Sequence, residues 1–148
     1  MIFEIYEYSS LWQQFLQYCQ TFGDTALQSV KQCSKDTPGY IVCWIMETCE
    51  SEGLKLKGSS LNDTKDEVLE AKGYTYSHAL KMRAAVSWGF AYKQGVGSNE
   101  PWIKTKSGEY QGNPSISHEV GRYMVSLNRR KVNLAIVELI PEFFEYSS

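Results

Sequence analysis

Apolar residues recur every three or four positions along most of the chain, which predicts amphipathic helices nearly throughout. The first predicted helix covers 5–22, and Gly23 would end it as a C-terminal glycine. Its apolar stripe consists of Leu11, Phe15, Tyr18 and Phe22. Glutamines occupy the opposite side of this helix, and a shorter helix fits the pattern around 25–33.

A further helix is predicted to begin at Thr37 and Pro38, because a hydroxyl cap followed by a first-turn proline is typical of helix starts. Its apolar positions are Ile41, Trp44, Ile45 and Cys49. Gly53 would end it. The span 54–72 is polar, and we interpret it as a connector with one short helix at 63–72.

The stretch 74–98, YTYSHALKMRAAVSWGFAYKQGVGS, predicts a long helix capped by Thr75 or Ser77 and closed by Gly95 or Gly97. Its inward-facing residues are Ala79, Met82, Val86 and Phe90. The start of this helix is rich in hydroxyl groups, and two cations, Lys81 and Arg83, interrupt its apolar run. One interpretation is that this helix packs on the core with one face and contacts an anionic polymer with the other.

Residues 98–113 are rich in Gly, Ser, Asn and Pro and predict a loop, anchored by Trp102 and Ile103. Asn113 and the proline after it predict the start of another helix. Its apolar positions are Ile116, Val120, Tyr123 or Met124, and Leu127. We expect this helix to end in the basic run 128–131, because cations are favoured at the C-terminal end of the helix dipole.

The remaining residues, 132–148, are apolar and acidic, and their pattern fits either one more helix broken by Pro141 or a strand. The predicted fold class is therefore all-α, a small orthogonal bundle of four to five helices. We expect a domain at 1–132 and a tail at 133–148 that packs on this domain or on a partner.

Composition and charge narrow the class of protein. A hydrophobic fraction of 43% indicates a packed globule, and no apolar run is long enough to predict a membrane span. The first residues lack a basic segment typical of secretion, so we expect a nuclear or cytoplasmic protein. Residues 74–131 hold nine cations and three acids, whereas the flanking regions are net acidic. This basic segment indicates either a phosphate-binding surface or an ordinary fluctuation of surface charge.

Metal and catalytic motifs are not evident in the sequence. The four cysteines are spaced 14, 10 and 6 residues apart without a C-x-x-C pair, so we interpret them as reduced, packed side chains. GVGSNEPW lacks the third glycine and the preceding strand of a dinucleotide site. SHEVG lacks the second histidine of a zinc protease. The sequence therefore predicts no metal, no cofactor and no catalytic residue.

Four segments follow one another in a familiar order: SLWQQFLQYCQTFG, PGYIVCWIMETCESEG, YTYSHALKMRAAVSWGFAYKQGVG and NPSISHEVGRYMVSLNRRKV. Tyr18, Cys19 and Gly23 at the end of the first helix, and Arg129 and Arg130 at the end of the last, complete the pattern. The pattern resembles the SAM-like core-binding domain of tyrosine recombinases and integrases over about 9–132, most closely Cre-like members and those of fungal Crypton-type transposable elements.

The resemblance implies a DNA-binding module that acts in recombination or integration and forms half of a clamp around duplex DNA. The DNA-contacting residues that it implies are Ser9, Gln13, Gln17, Thr75, Tyr76, Ser77, Lys81, Ser115 and Ser117. The phosphate-holding residues that it implies are Arg129, Arg130 and Lys131. The catalytic Arg, His-x-x-Arg and Tyr of the family have no counterpart after Lys131, so we expect no enzymatic activity.

A second hypothesis comes from the tail, whose large apolar side chains are costly to leave in water. The chain could instead be a helical protein-interaction or self-association module with no role on nucleic acid. Both hypotheses can hold together, because a homo-oligomer formed through the tail would still present the basic segment. An enzyme of another kind is the third and weakest hypothesis.

Overall fold

The computed structural model of the chain describes residues 2–50 and 74–147, with side-chain detail for 3–50 and 74–134. The helices of these residues are α1 (Ile2–Gln20), α2 (Asp24–Lys31), α3 (Thr37–Glu50), α4 (Tyr76–Lys93) and α5 (His118–Ser147). A short antiparallel hairpin of β1 (Ile103–Lys104) and β2 (Tyr110–Gln111), followed by a 3-10 turn (Pro114–Ile116), joins α4 to α5. The prediction of an all-α bundle is confirmed. The predicted connector 54–72 and its short helix lie outside the described residues.

Two helix boundaries follow the predicted local chemistry. Thr75 caps α4, because its hydroxyl oxygen accepts a hydrogen bond from the backbone N–H of His78 at 3.3 Å. After α1, Gly23 has a φ of 98°, which costs a glycine little and turns the chain into α2. Thr37 has another role: its hydroxyl donates to the carbonyl oxygen of Ser29 at 2.8 Å and ties α3 to α2.

The core forms where α1 crosses α4 at close range. A side chain at Gly89 would place its Cβ 2.0 Å from the Trp12 ring, so only glycine allows this approach. Trp12 also packs edge-on against Phe90, with ring centroids 5.2 Å apart. The predicted apolar stripes of α3 and α4 are buried. Phe22, at the end of the α1 stripe, is an exception with 55% exposure, because it follows the last helical residue and packs on Tyr18 instead.

A buried polar joint connects α4 to the 3-10 turn. The side-chain amide of Asn113 donates to the carbonyl oxygen of Ser87 at 3.1 Å and accepts from the backbone N–H of Ser115 at 3.1 Å. Asn113 therefore caps a short turn and not the long helix that the sequence predicted. The long helix begins one turn later, where the hydroxyl oxygen of Ser117 accepts from the backbone N–H of Val120 at 3.2 Å.

Helix α5 differs most from its prediction. It continues through Pro141 to Ser147, so the predicted break or strand after 131 is wrong. The predicted domain boundary at 132 falls inside this helix. The basic run 128–131 lies mid-helix, so the helix dipole does not explain it. No helix among the described residues has both the length and the apolar character needed to cross a bilayer.

Candidate functional site

An open groove of about 750 Å³ lies between α4 and α5, beside the 3-10 turn. Its lining consists of Arg83, Ile116, Ser117, His118, Gly121, Arg122, Val125, Ser126 and Arg129. Three of these residues are arginines, and none is an acid. We call this surface the arginine groove.

Arg83 is the fixed arginine of the groove. It lies in the middle of α4, half-buried, and its Nε donates to the backbone carbonyl oxygen of Ser115 at 3.0 Å. One terminal nitrogen of its guanidinium lies 4.0 Å from the point where a Cβ on Gly121 would be. A guanidinium carries five N–H donors, so the contact with the turn orients the group and leaves donors for a ligand.

Arg122 and Arg129 are the two exposed arginines of the groove. They are seven residues apart on α5, which is two helical turns and about 10.5 Å along the axis. Within the described part of the chain neither makes a hydrogen bond or an ion pair. Guanidinium groups bind phosphate and carboxylate oxygens in pairs, so this side of α5 can hold an extended anion.

Arg130 and Lys131, both predicted to hold phosphates, contact α3 instead. The Nε of Arg130 lies 2.5 Å from one carboxylate oxygen of Glu50, and the hydroxyl of Tyr123 donates to the other at 2.7 Å. Lys131 donates from Nζ to the backbone carbonyl oxygen of Cys49 at 2.8 Å. We call Glu50, Tyr123, Arg130 and Lys131 the clamp. The prediction is corrected, because these cations bind the C-terminal end of α3.

The contacts within the clamp shift the pKa values of Glu50 and Tyr123. Burial raises the pKa of Glu50, but the hydrogen bonds from Arg130 and Tyr123 outweigh burial and hold this pKa below its ordinary value. Burial and the neighbouring carboxylate raise the pKa of Tyr123 well above its usual range. Glu50 is therefore ionised and paired, and its charge offsets that of Arg130.

The start of α4 faces α1. Lys81 Nζ lies 3.4 Å from a carboxylate oxygen of Glu7, and each side chain is 55% exposed. Thr75 and Ser77 are exposed, whereas Tyr76 is half-buried against the core. Lys81 thus lies beside α1, whereas Arg83 contacts the turn before α5. Lys81 consequently does not line the arginine groove.

The predicted hydroxyl contacts near α5 are also corrected. Ser115 is fully buried, and its hydroxyl donates to the Asn113 side-chain oxygen at 2.8 Å and bonds the hydroxyl of Ser87. Ser117 is 3% exposed and caps α5. Both serines are used within the protein and are not available to a phosphate.

The polar face predicted for α1 is on the surface. Gln13 and Gln17 are exposed, and Ser9 is half-buried. None of the three lines the arginine groove.

Sequence reasoning missed Arg83 and Arg122 as site residues, although both lie in the basic segment. Helical periodicity could have paired Arg122 with Arg129, because seven residues make two turns. The sequence shows Arg83 only as one of two cations within an apolar run, and its fixed position depends on the carbonyl group of Ser115, which is distant in sequence.

The cysteines do not add a site. Cys19 and Cys49 are buried, as predicted, and burial raises their thiol pKa values to about 12 and about 11. Cys33 is half-buried, and Cys43 is exposed, which corrects the prediction that all four cysteines are packed. Among the described residues, no three His, Cys, Asp or Glu side chains gather into a group that could hold a metal ion.

Comparison of the chain with protein-family models, with curated proteins and with solved structures gives no match. The functional proposal therefore depends on the geometry of the groove and on the resemblance noted in the sequence.

Proposed function

We propose that the chain is a non-catalytic DNA-binding module that holds the phosphate backbone of duplex DNA in the arginine groove. One observation carries the proposal: three arginines line an open groove without an acid, and two of them have no partner among the described residues. Arginine side chains that lack an acidic partner commonly bind the phosphate oxygens of DNA.

The length of the groove favours a polymer over a small anion. Arg122 and Arg129 are about 10.5 Å apart along α5, and one DNA strand carries a phosphate every 3.4 Å along its axis. The two side chains would therefore contact different phosphates of one strand. Arg83, held by the turn, would give a third contact beside Gly121.

The resemblance to a recombinase core-binding domain supports the proposal independently, from the order of the helices. The resembled domain binds duplex DNA but does not itself cleave it. A DNA-binding role also fits the expected nuclear or cytoplasmic location. The contact surface differs from the one that the resemblance implied, because the groove replaces the start of α4.

The direct test is an anisotropy titration of a 20-base-pair duplex at several salt concentrations. The two or three phosphate contacts of the groove by themselves contribute a slope of about −2 to −3 in log affinity against log salt, roughly −0.9 per contact. Replacing Arg83, Arg122 and Arg129 together with Gln should abolish measurable binding, and each single change should weaken it and lower the slope by about one. Lys35→Gln, an exposed cation outside the groove, is the matched control.

A second variant tests the shape of the groove without changing its charge. Gly121→Leu would place a side chain on the floor beside Arg83, whereas Gly121→Ala adds one methyl group with only the Arg83 guanidinium nearby. Leu should reduce affinity, and Ala should not. Absence of binding at low salt, or full binding by the triple Gln variant, would reject the proposed function.

A specific observation also supports the self-association alternative. Phe3, Ile5 and Tyr6 at the start of α1 are exposed, as are Val132 and Leu134 on α5. Light scattering on the intact chain and on a variant lacking 134–148 tests this alternative. We expect a dimer or higher oligomer at micromolar concentration, and a deletion variant that is monomeric or insoluble. A monomeric intact chain with a stable, soluble deletion variant would exclude a self-association role for the tail.

A further inference from the structure

The hairpin between α4 and α5 has a fixed shape. Trp102 and Tyr110 stack across its base with ring centroids 5.4 Å apart. Thr105 pairs with Glu109 through a backbone hydrogen bond of 2.7 Å, and Gly108, at a φ of 90°, closes the tip. An ordered tip is suited to contacting a partner, because little conformational entropy remains to be lost on binding.

The hairpin is also rooted in the protein body. A Cβ on Gly112 would lie 1.9 Å from the carbonyl oxygen of Pro101, so the two ends of the hairpin meet at a position that only glycine can occupy. The backbone N–H of Asn113 donates to the carbonyl oxygen of Glu100 at 3.0 Å, and Asn113 itself is buried.

The surface of the hairpin carries two lysines and one exposed acid, Glu109, and is partly apolar. Lys104 and Lys106 are exposed, and neither makes an ion pair within the described residues. Ile103 is also exposed, at 52%, which corrects its predicted role as an anchor. The Trp102 ring is half-buried and stacks on Tyr110 within the hairpin.

The hairpin lies next to the arginine groove along the chain. Its last strand leads through Asn113 into the 3-10 turn, and Ile116 at the end of that turn lines the groove. The tip is about five residues from the root, which corresponds to at most about 17 Å of extended chain. That reach equals about five base pairs at 3.4 Å each.

We propose that this hairpin is a second DNA-binding element, in which Lys104 and Lys106 contact phosphates beside the segment held in the arginine groove. This inference rests on the proposed function. A two-stranded ribbon fits the width of a DNA groove, and its lysines, Lys104 in β1 and Lys106 near the tip, would contact the backbone without reading the sequence. The hairpin would lengthen the contact along the duplex and increase its salt dependence.

The test compares the double variant Lys104→Gln with Lys106→Gln, the triple Gln variant of the groove, and Lys31→Gln as a matched exposed cation. The hairpin variant should bind a 20-base-pair duplex several-fold more weakly, with a salt slope smaller by about 1.8. A hydroxyl-radical footprint should shorten by about five base pairs on one side only. Circular dichroism should be unchanged, because both lysines are exposed.

The outcomes separate the two proposals. If the groove variant loses binding while the hairpin variant keeps the affinity, slope and footprint of the unchanged chain, the hairpin proposal is wrong and the groove proposal stands. If the hairpin variant weakens binding but its footprint keeps full length, the lysines do not contact a separate segment, and the inference also fails. If the groove variant binds normally, the proposed function itself is rejected.

Discussion

Arg129 and Arg130 are adjacent in sequence but lie in different surroundings. Arg129 lines the arginine groove and has no partner among the described residues, whereas Arg130 is paired with Glu50 in the clamp. Successive residues of an α-helix point about 100° apart, so Arg129 lines the groove while Arg130 reaches α3 and also donates to Ser126 at the edge of the groove. A run of basic residues in sequence can therefore contain one cation without a partner among the described residues and two that bind another helix.

The comparison shows that partners, and not charge alone, decide what a cation can do. The clamp cations bind a carboxylate and a carbonyl oxygen from α3, so a phosphate would have to displace both. The groove arginines face no carboxylate in the lining, so an anion would add to the existing contacts. Substitutions in the groove should therefore change DNA affinity, and substitutions in the clamp should change stability.

The largest effect is expected from Leu127→Asp, because Leu127 is fully buried on α5. An unpaired charge at this position should unfold the domain, at a cost above about 4 kcal/mol. Unfolding should abolish the groove and the clamp together. Circular dichroism should show the loss of helix, and the DNA titration should show the loss of binding. If the unfolded variant bound DNA with unchanged affinity and salt slope, binding would need only the charges, and the distinction between groove and clamp would have no basis.

A smaller pair of effects should separate the two arginines. Arg130→Gln should lower the free energy of unfolding by about 1 kcal/mol, since its guanidinium is 44% exposed and partly screened by solvent. It should leave DNA affinity nearly unchanged. Arg129→Gln should weaken DNA binding and leave the free energy of unfolding nearly unchanged. Urea unfolding and anisotropy on both variants measure this, and equal losses of affinity would contradict the assignment of Arg130 to the clamp.

The acid dependence of stability should identify Glu50. Its pKa is lower in the folded protein than its ordinary value of about 4.3, so its ionised form stabilises the fold. That contribution is present above the ordinary value and is lost as the pH falls through the lowered pKa. Glu50→Gln should therefore be less stable than the unchanged chain at pH 7, with the difference shrinking below about pH 4. A difference that stayed constant down to pH 2 would show that ionisation of Glu50 does not contribute.

The smallest effect is expected from Lys81→Ala. The pair of Lys81 with Glu7 is half-exposed on both sides, so its loss should change the free energy of unfolding by at most about 0.5 kcal/mol. DNA affinity should fall much less than in Arg129→Gln. A loss as large as that of the groove variant would restore the start of α4 as a contact surface.

Most of the bundle could be predicted from the sequence, because its signals are local. Thr75 caps α4 and Gly23 ends α1 through interactions within a few residues, and the stripes of α3 and α4 reflect burial on one side. The hairpin was missed because two-residue strands are too short to show alternation. The end of α5 was missed because proline is normally expected to break a helix.

The candidate site was less predictable, because it depends on contacts between distant residues. Arg129 and Arg130 are neighbours in one basic run, so the surrounding sequence does not distinguish them. They differ because Glu50, at the end of α3, pairs with Arg130. Ser115 looked like a surface hydroxyl, but Asn113 and Ser87 enclose it. Helix packing decides both outcomes, and one sequence does not specify that packing.

Because both the groove and the clamp take cations from α5, this helix should tolerate substitutions better than changes of length. Deleting one residue between Gly121 and Arg129 would rotate every later side chain by about 100°, which would turn Arg130 away from Glu50 or Arg129 away from the groove. Inserting seven residues would restore the orientation to within about 20° but would shift the clamp cations about 10.5 Å beyond the end of α3. The spacing between these residues is therefore as strong a constraint on the chain as their identity.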